Sequence, residues 1–215
     1  MATTSTFKPA ANGDDGMWLG NALFYNNITQ AAFGNAAGVQ YHMFIRFPNI
    51  TIPRVAIISA AKVTFDAHQD QSGTTCNINI YCVNSANASA PADLAACEAL
   101  SLTSPAAWNN VAAYTTDGKY DTVDIKTPVQ TIINLAAWAS GNALVVVLKN
   151  NSSSTNAIRW VHTLEQGADV CPILIITYYT QWSKKINSVS IPAKVYGVSN
   201  ADVTGVVYKI NTVSR

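Results

Sequence analysis

The stretch that decides the fold is residues 39–47, Val-Gln-Tyr-His-Met-Phe-Ile-Arg-Phe. Every odd-numbered position in this stretch is apolar, whereas Gln40, His42 and Arg46 stand at even-numbered positions. Successive side chains of a strand point to opposite faces of a sheet. The alternation therefore predicts a half-buried strand with one polar face.

Other stretches extend this pattern along the chain. Residues 62–68 alternate cleanly, and residues 143–148 (Ala-Leu-Val-Val-Val-Leu) form an unbroken apolar run, typical of a central strand covered on both faces. We predict further strands over residues 76–83, 120–126, 157–163 and 173–179. The predicted core residues are Ile45, Phe47, Val63, Phe65, Ile78, Ile80, Val146 and Ile175.

Two segments carry helical signals instead. Residues 91–99 begin with Pro91, a residue favoured at the first helical position. Residues 127–138 place apolar side chains at helical spacing, with Thr127 as the predicted N-cap. The inward side chains predicted for this helix are Val129, Ile132, Ile133 and Ala136. Many short strands with two short helices predict an all-β protein, a jelly-roll-like antiparallel β-sandwich over residues 1–180.

The remaining residues, 181–215, form a C-terminal tail of different character. Residues 185–190 (Lys-Ile-Asn-Ser-Val-Ser) nearly recur as residues 209–214 (Lys-Ile-Asn-Thr-Val-Ser). Two copies are too few for a stable solenoid, so this apolar segment is expected to pack on its own domain or on a neighbouring subunit. The predicted assembly residues are Ile186, Val189, Ile191, Val195, Tyr196, Val198, Val203, Val206, Ile210 and Val213.

The composition excludes several classes of partner. Charged residues make up 12% of the 215 residues and the formal net charge is +1. Without a basic excess there is no counterion release to support nucleic-acid binding, and anionic membranes lose support for the same reason. The N-terminus has no basic segment followed by an apolar one, so we expect synthesis in a cytoplasm without secretion.

The reactive side chains form no recognisable catalytic motif. His42 and His68 are predicted on the solvated surface, and His162 in the interior. The four cysteines, Cys76, Cys82, Cys97 and Cys171, are best interpreted as buried thiols, with a zinc site as the less favoured alternative. We expect no enzymatic activity and no cofactor.

Two weaker binding signals stay open. Asp14 and Asp15 in Gly-Asp-Asp-Gly are weak calcium candidates, against the alternative of a turn that caps its own backbone. Trp18 and Trp108 flank polar loops and are candidate glycan contacts, against the alternative of core residues.

Residues from about 10 to 180 resemble a β-sandwich module of bacteriophage virion proteins, with related modules in carbohydrate-associated bacterial proteins. The order and spacing of several stretches carry the resemblance. These stretches are residues 12–16, 44–53, 58–63, 108–110, 129–133, 138–144 and 172–178. The resemblance implies a non-catalytic module and supplies no catalytic residue.

These observations together predict a phage virion structural protein, a capsid decoration or tail-associated subunit made in the host cytoplasm. Its expected partners are other virion proteins and copies of itself. The alternative is a carbohydrate-binding adhesin module, calcium-assisted if Asp14 and Asp15 bind the ion, whose partner is a host-surface glycan.

Overall fold

The computed structural model describes residues 2–20 and 22–180, and the backbone of residues 194–195 and 198–199. The chain divides into two units, Met1–Gln181 and Trp182–Arg215. The strands of the first unit are β1 (Thr3–Phe7), β2 (Asp15–Leu19), β3 (Leu23–Tyr25), β4 (Gln30–Ala36), β5 (Val39–Ile50), β6 (Ile57–Asp66), β7 (Ile78–Cys82), β8 (Ala106–Trp108), β9 (Lys119–Asp121), β10 (Asn142–Asn150), β11 (Ile158–His162) and β12 (Ile173–Tyr179). Its helices are α1 (Leu94–Glu98) and α2 (Lys126–Ile133), and a 3-10 turn spans Leu164–Gln166.

These strands form two antiparallel sheets. The smaller sheet has the order β1-β12-β6-β9, and the larger one runs β11-β4-β5-β10-β7-β8, with β2 and β3 added alongside β5. The turn between β4 and β5 consists of Ala37 and Gly38, both at positive φ (50° and 84°), as the two-residue turn of a tight hairpin requires. The predicted all-β antiparallel sandwich with two short helices is confirmed, while the jelly-roll topology stays a prediction.

The main core lies between the two sheets. Seven of the eight predicted core residues are 0% exposed and belong to it, from Ile45 and Phe47 on β5 to Val146 on β10. Ile175 was predicted wrongly, because Leu174 and Ile176 are the residues of β12 that face this core. The register explains the difference, since Leu174 lies opposite the buried Val63.

A second apolar layer covers the other face of the larger sheet. Phe44, Val145 and Val147 pack there with Trp18 and with Cys97 of α1. The predicted double-sided burial of residues 143–148 is therefore confirmed, and β5 is also covered on both faces rather than half-buried with a polar face.

Helix α2 packs through a narrower set of residues than predicted. Val129, Ile132 and Ile133 are buried, but the helix ends at Ile133, which leaves Ala136 exposed. Ile125, not Thr127, is its N-cap. Helix α1 is shorter than the predicted 91–99, because the carboxylate of Asp93 accepts the Ala96 N–H and so sets its start.

Strand β9 is shorter than the predicted 120–126 because side chains replace part of the ladder along β6. The Val63 N–H donates to Thr122 Oγ1 at 3.1 Å, and the Ala61 N–H donates to Asp124 Oδ1 at 3.0 Å. This segment therefore follows β6 without being a regular strand.

The second unit contributes one described element. Strands β13 (Lys194–Val195) and β14 (Val198–Ser199) pair as an antiparallel hairpin.

Candidate functional site

The two tryptophans predicted as glycan contacts are both buried. Trp18 is 2% exposed and lies in the apolar layer outside the larger sheet, and Trp108 is 8% exposed and packs against Phe33 in the main core. A ring that stacks on a sugar must present a face to solvent. The glycan role predicted for Trp18 and Trp108 is therefore wrong, and the core alternative is correct.

A groove of about 460 Å³ opens beside Trp18, and His42 is one of its polar lining residues. The His42 ring centroid lies 5.0 Å from that of Trp18, and His42 Nδ1 accepts the Asn150 N–H at 3.0 Å. Burial, with a smaller contribution from Lys149, lowers the pKa of His42 to about 4. At neutral pH the ring is therefore uncharged, with its proton on Nε2. The predicted surface location of His42 is wrong, since it is 7% exposed.

The rim of this His42 groove is polar and of mixed charge. Gln40, Glu98 and Lys149 stand around it, beside Gly20 and Gly38. A neutral imidazole donor between one carboxylate and one ammonium group can hold a small polar ligand. In the part of the chain that the structure describes, this lining has no serine, cysteine or threonine that His42 could activate as a nucleophile.

A second groove, of about 420 Å³, lies on the other side of β2. Its lining residues are Met17, Tyr25, Asn27, Ile28, Thr29, Gln30 and Trp160. We call it the Trp160 groove, because the half-buried Trp160 is its largest side chain. Trp160 was not among the residues predicted to bind a ligand, so this groove was missed. The signal available in the sequence was the pair Asn26 and Asn27, which directly follows the aromatic residues Phe24 and Tyr25.

The two calcium candidates have other partners. Arg46 Nη1 donates to Asp14 Oδ1 at 2.9 Å, and the Ala10 and Ala11 N–H groups both donate to Asp14 Oδ2 at 3.0 Å. Asp14 therefore forms the backbone-capping turn that was the alternative to calcium. Among residues 2–20 and 22–180, no three His, Cys, Asp or Glu side chains are arranged to hold a metal ion.

Asp15 pairs instead with a second carboxyl group, Glu165. The Leu164 N–H donates to Asp15 Oδ2, and the Gly13 N–H donates to Glu165 Oε1, both at 3.0 Å. The remaining oxygens, Asp15 Oδ1 and Glu165 Oε2, are buried without a donor. Burial, together with Glu165 and Asp14, raises the pKa of Asp15 to about 8 against the opposing Leu164 hydrogen bond. A proton shared by the two carboxyl groups provides the missing donor.

The other two histidines meet where β11 passes the end of β6. The rings of His68 and His162 are perpendicular with centroids 5.0 Å apart, and Asp117 Oδ1 lies 3.9 Å from His162 Nε2. His162 is buried, as predicted, while His68 is half-buried rather than solvated. Partial burial and the neighbouring His162 lower the pKa of His68, against a raising contribution from Asp117.

The four cysteines are free and buried, which confirms their interpretation as apolar groups. Burial raises the pKa of Cys97 to about 12 and raises that of Cys82 further, so both thiols stay protonated at neutral pH.

The predicted assembly residues lie outside the described residues, apart from the backbone of Val195 and Val198 in the hairpin. No helix in the described part of the chain is long and apolar enough to span a membrane. No protein-family model matches this chain, and no curated protein matches its sequence.

Proposed function

We propose that this chain is a non-enzymatic virion structural protein of a bacteriophage, a capsid decoration or tail-associated subunit. In this proposal residues 1–180 are the displayed β-sandwich, and residues 181–215 are the element that joins neighbouring copies or other virion proteins. The resemblance of residues 10–180 to phage virion modules supports it, as does the sparse charge of the chain.

The observation that carries the proposal is an apolar pair at the end of the smaller sheet. Tyr179 on β12 is 43% exposed and lies directly opposite Ile57 on β6, which is 51% exposed. Val55, close by in the chain, is 39% exposed. These side chains stand where β12 ends and the chain continues into the apolar tail. Apolar groups concentrated at one such place are typical of a surface that is covered in an assembly.

Truncation after Gln181 tests the proposal. We expect the truncated domain to retain its circular dichroism spectrum and cooperative unfolding, and to lose self-association and binding to purified particles. A full-length variant with Ile186→Asp and Ile210→Asp serves as the matched control, because it keeps the chain length and removes only apolar contacts. It should show the same loss.

Two results would contradict the proposal. Unfolding of the truncated domain would mean that the tail belongs to its own core. Normal assembly of both variants would place the interface on the sandwich and leave the tail without an assembly role.

A further inference from the structure

The Trp160 groove has the dimensions of a ligand site and a definite set of walls. Its volume of about 420 Å³ lies within the range of sites that hold small molecules. Its lining residues come from β2, β3, the segment that leads into β4, the start of β4, and Trp160 on β11. Among them, Met17 is 7% exposed and belongs to the main core.

Two aromatic side chains give this groove flat apolar surfaces. Tyr25 is 37% exposed, whereas its strand neighbour Phe24 is half-buried. Trp160 is half-buried, and its ring meets Tyr41 edge-on, with centroids 5.9 Å apart and an angle of 65°. Tyr41 thus supports the Trp160 ring from one side. Aromatic rings of this kind combine a large apolar face with a polar N–H or O–H group.

The polar groups of the groove are uncharged. Asn27 and Thr29 are exposed, and Gln30 is half-buried. The hydrogen bonds that hold this segment use its backbone: Thr163 Oγ1 donates to Ile28 O, and the Thr163 N–H donates to Thr29 O at 3.3 Å. The side-chain amide of Asn27 and hydroxyl of Thr29 are therefore available to a ligand. Among the described residues the lining contains no charged side chain, so a charged ligand would lose hydration without gaining a counter-ion from them.

Close backbone packing fixes the position of Tyr25. A Cβ atom added at Gly16 would lie 2.3 Å from Tyr25 O and 2.9 Å from Asn26 Cα, so only glycine allows the two segments to approach this closely. The backbone that carries Tyr25 is thus held in place, which lowers the entropy cost of binding a ligand there.

We propose that the Trp160 groove binds a neutral oligosaccharide. The apolar faces of its sugar rings stack on Tyr25 and Trp160, and its hydroxyl groups bond to Asn27 and Thr29. This proposal does not rest on the virion proposal, because the groove lies wholly within residues 17–160 and makes no use of the tail.

Binding of defined sugars to the full-length protein tests it. The probes are maltohexaose, cellohexaose, chitohexaose and mannohexaose as neutral ligands, with oligogalacturonate as the anionic comparison, measured by isothermal titration calorimetry. We expect one or more neutral probes to bind, and Tyr25→Ala to weaken that binding about tenfold, as the loss of one stacked aromatic ring implies. Leu23→Ala is the matched control, since it removes an exposed apolar side chain from the same strand, β3, outside the lining of the groove, and should leave affinity unchanged.

Further variants guard against misfolding and against a rival site. Asn27→Ala alters only an exposed side chain and should weaken binding without changing the melting temperature, even if Trp160→Ala fails to fold. Lys149→Ala alters the His42 groove and should leave the affinity for the neutral sugar unchanged. The proposal is overturned if no neutral probe binds, if oligogalacturonate alone binds, or if Lys149→Ala abolishes binding while Tyr25→Ala does not.

Discussion

The shared proton of Asp15 and Glu165 leads to a quantitative prediction about pH and stability. This pair joins the first residue of β2 to the connection between β11 and β12, which links the two sheets. The raised pKa of about 8 means that the folded state holds a proton that the unfolded chain, with an ordinary value of 3.8, releases. The stabilising effect of this proton is complete below pH 4 and is lost as the pH rises through 8.

The size of this loss follows from how steeply the free energy of unfolding changes with pH. Between pH 4 and 8 the free energy of unfolding falls by about 1.4 kcal/mol per pH unit for one such proton. His42 and His68, whose pKa values are lowered in the folded state, oppose this trend, but only below pH 6.5. The interval from pH 6.5 to 8 therefore isolates the carboxyl pair, and we expect a loss of about 2 kcal/mol across it.

Asp15→Asn is the variant that tests this reasoning. The amide copies the shape of the protonated carboxyl group: its oxygen still accepts the Leu164 N–H, and its NH₂ group donates to Glu165 in place of the shared proton. We expect wild-type stability at pH 5, within about 1 kcal/mol, and a flat profile from pH 6.5 to 8.

Urea unfolding at four pH values, followed by circular dichroism, measures both profiles. Asp121→Asn is a suitable control, because partial burial, which raises the pKa of the exposed Asp121, is outweighed by hydrogen bonds from Lys62 and Thr64 that lower it, so this carboxyl group titrates below this interval. A wild-type profile that stays level between pH 6.5 and 8 would refute the shared proton. Equal destabilisation by Asp15→Asn at pH 5 and pH 8 would refute it as well.

Three further predictions can be checked on the same protein. Ile78→Ala should lower the free energy of unfolding by about 2–5 kcal/mol in urea titrations, because Ile78 is fully buried. Ile175→Ala, on the outer face of β12, should lower it by less than about 1 kcal/mol, and equal losses would contradict the assigned strand faces. Between pH 6.5 and 4 the neutral His42 offsets the stability that the carboxyl pair gains on acidification, so His42→Gln should gain more unfolding free energy than the wild type across this interval in urea titrations; equal changes in the two proteins would contradict this. Chelation with EDTA should leave the melting temperature unchanged, because Asp14 is already occupied by Arg46; a drop that calcium reverses would restore the calcium interpretation.

Strand faces were predictable from sequence where only one parity is apolar. Ile78 and Ile80 alternate with Asn79 and were placed correctly. On β12 both parities are apolar from Ile173 to Ile176, so alternation carries no information, and the register against β6 decides which side chains are buried.

The first four strands were not predicted, because their sequences lack alternating large residues. β1 is rich in threonine and serine, and β4 reads Gln-Ala-Ala-Phe-Gly-Asn-Ala. The small residues of β4 reflect close approach of a neighbouring backbone. A Cβ atom added at Gly34 would lie 2.3 Å from Ala157 O, so this strand needs small residues at a position where a pattern search expects large ones.

The binding residues were harder to predict, because a polar neighbourhood in sequence is not a polar neighbourhood in space. The Gly-Asp-Asp-Gly motif suggested a solvated loop and an exposed Trp18, yet Asp14 is neutralised by Arg46, 32 positions away, and Asp15 is paired with Glu165 on another connection. Because both carboxyl groups have such partners, the motif can be buried, and Trp18, which follows it on β2, is buried as well.

The Trp160 groove is the opposite case, in which an apolar neighbourhood in the sequence holds a ring that is partly exposed in the structure. Trp160 stands in a strand of buried residues, yet its ring is only half-buried and packs edge-on against Tyr41. Which tryptophan faces solvent is thus decided by long-range pairing, which local sequence does not encode.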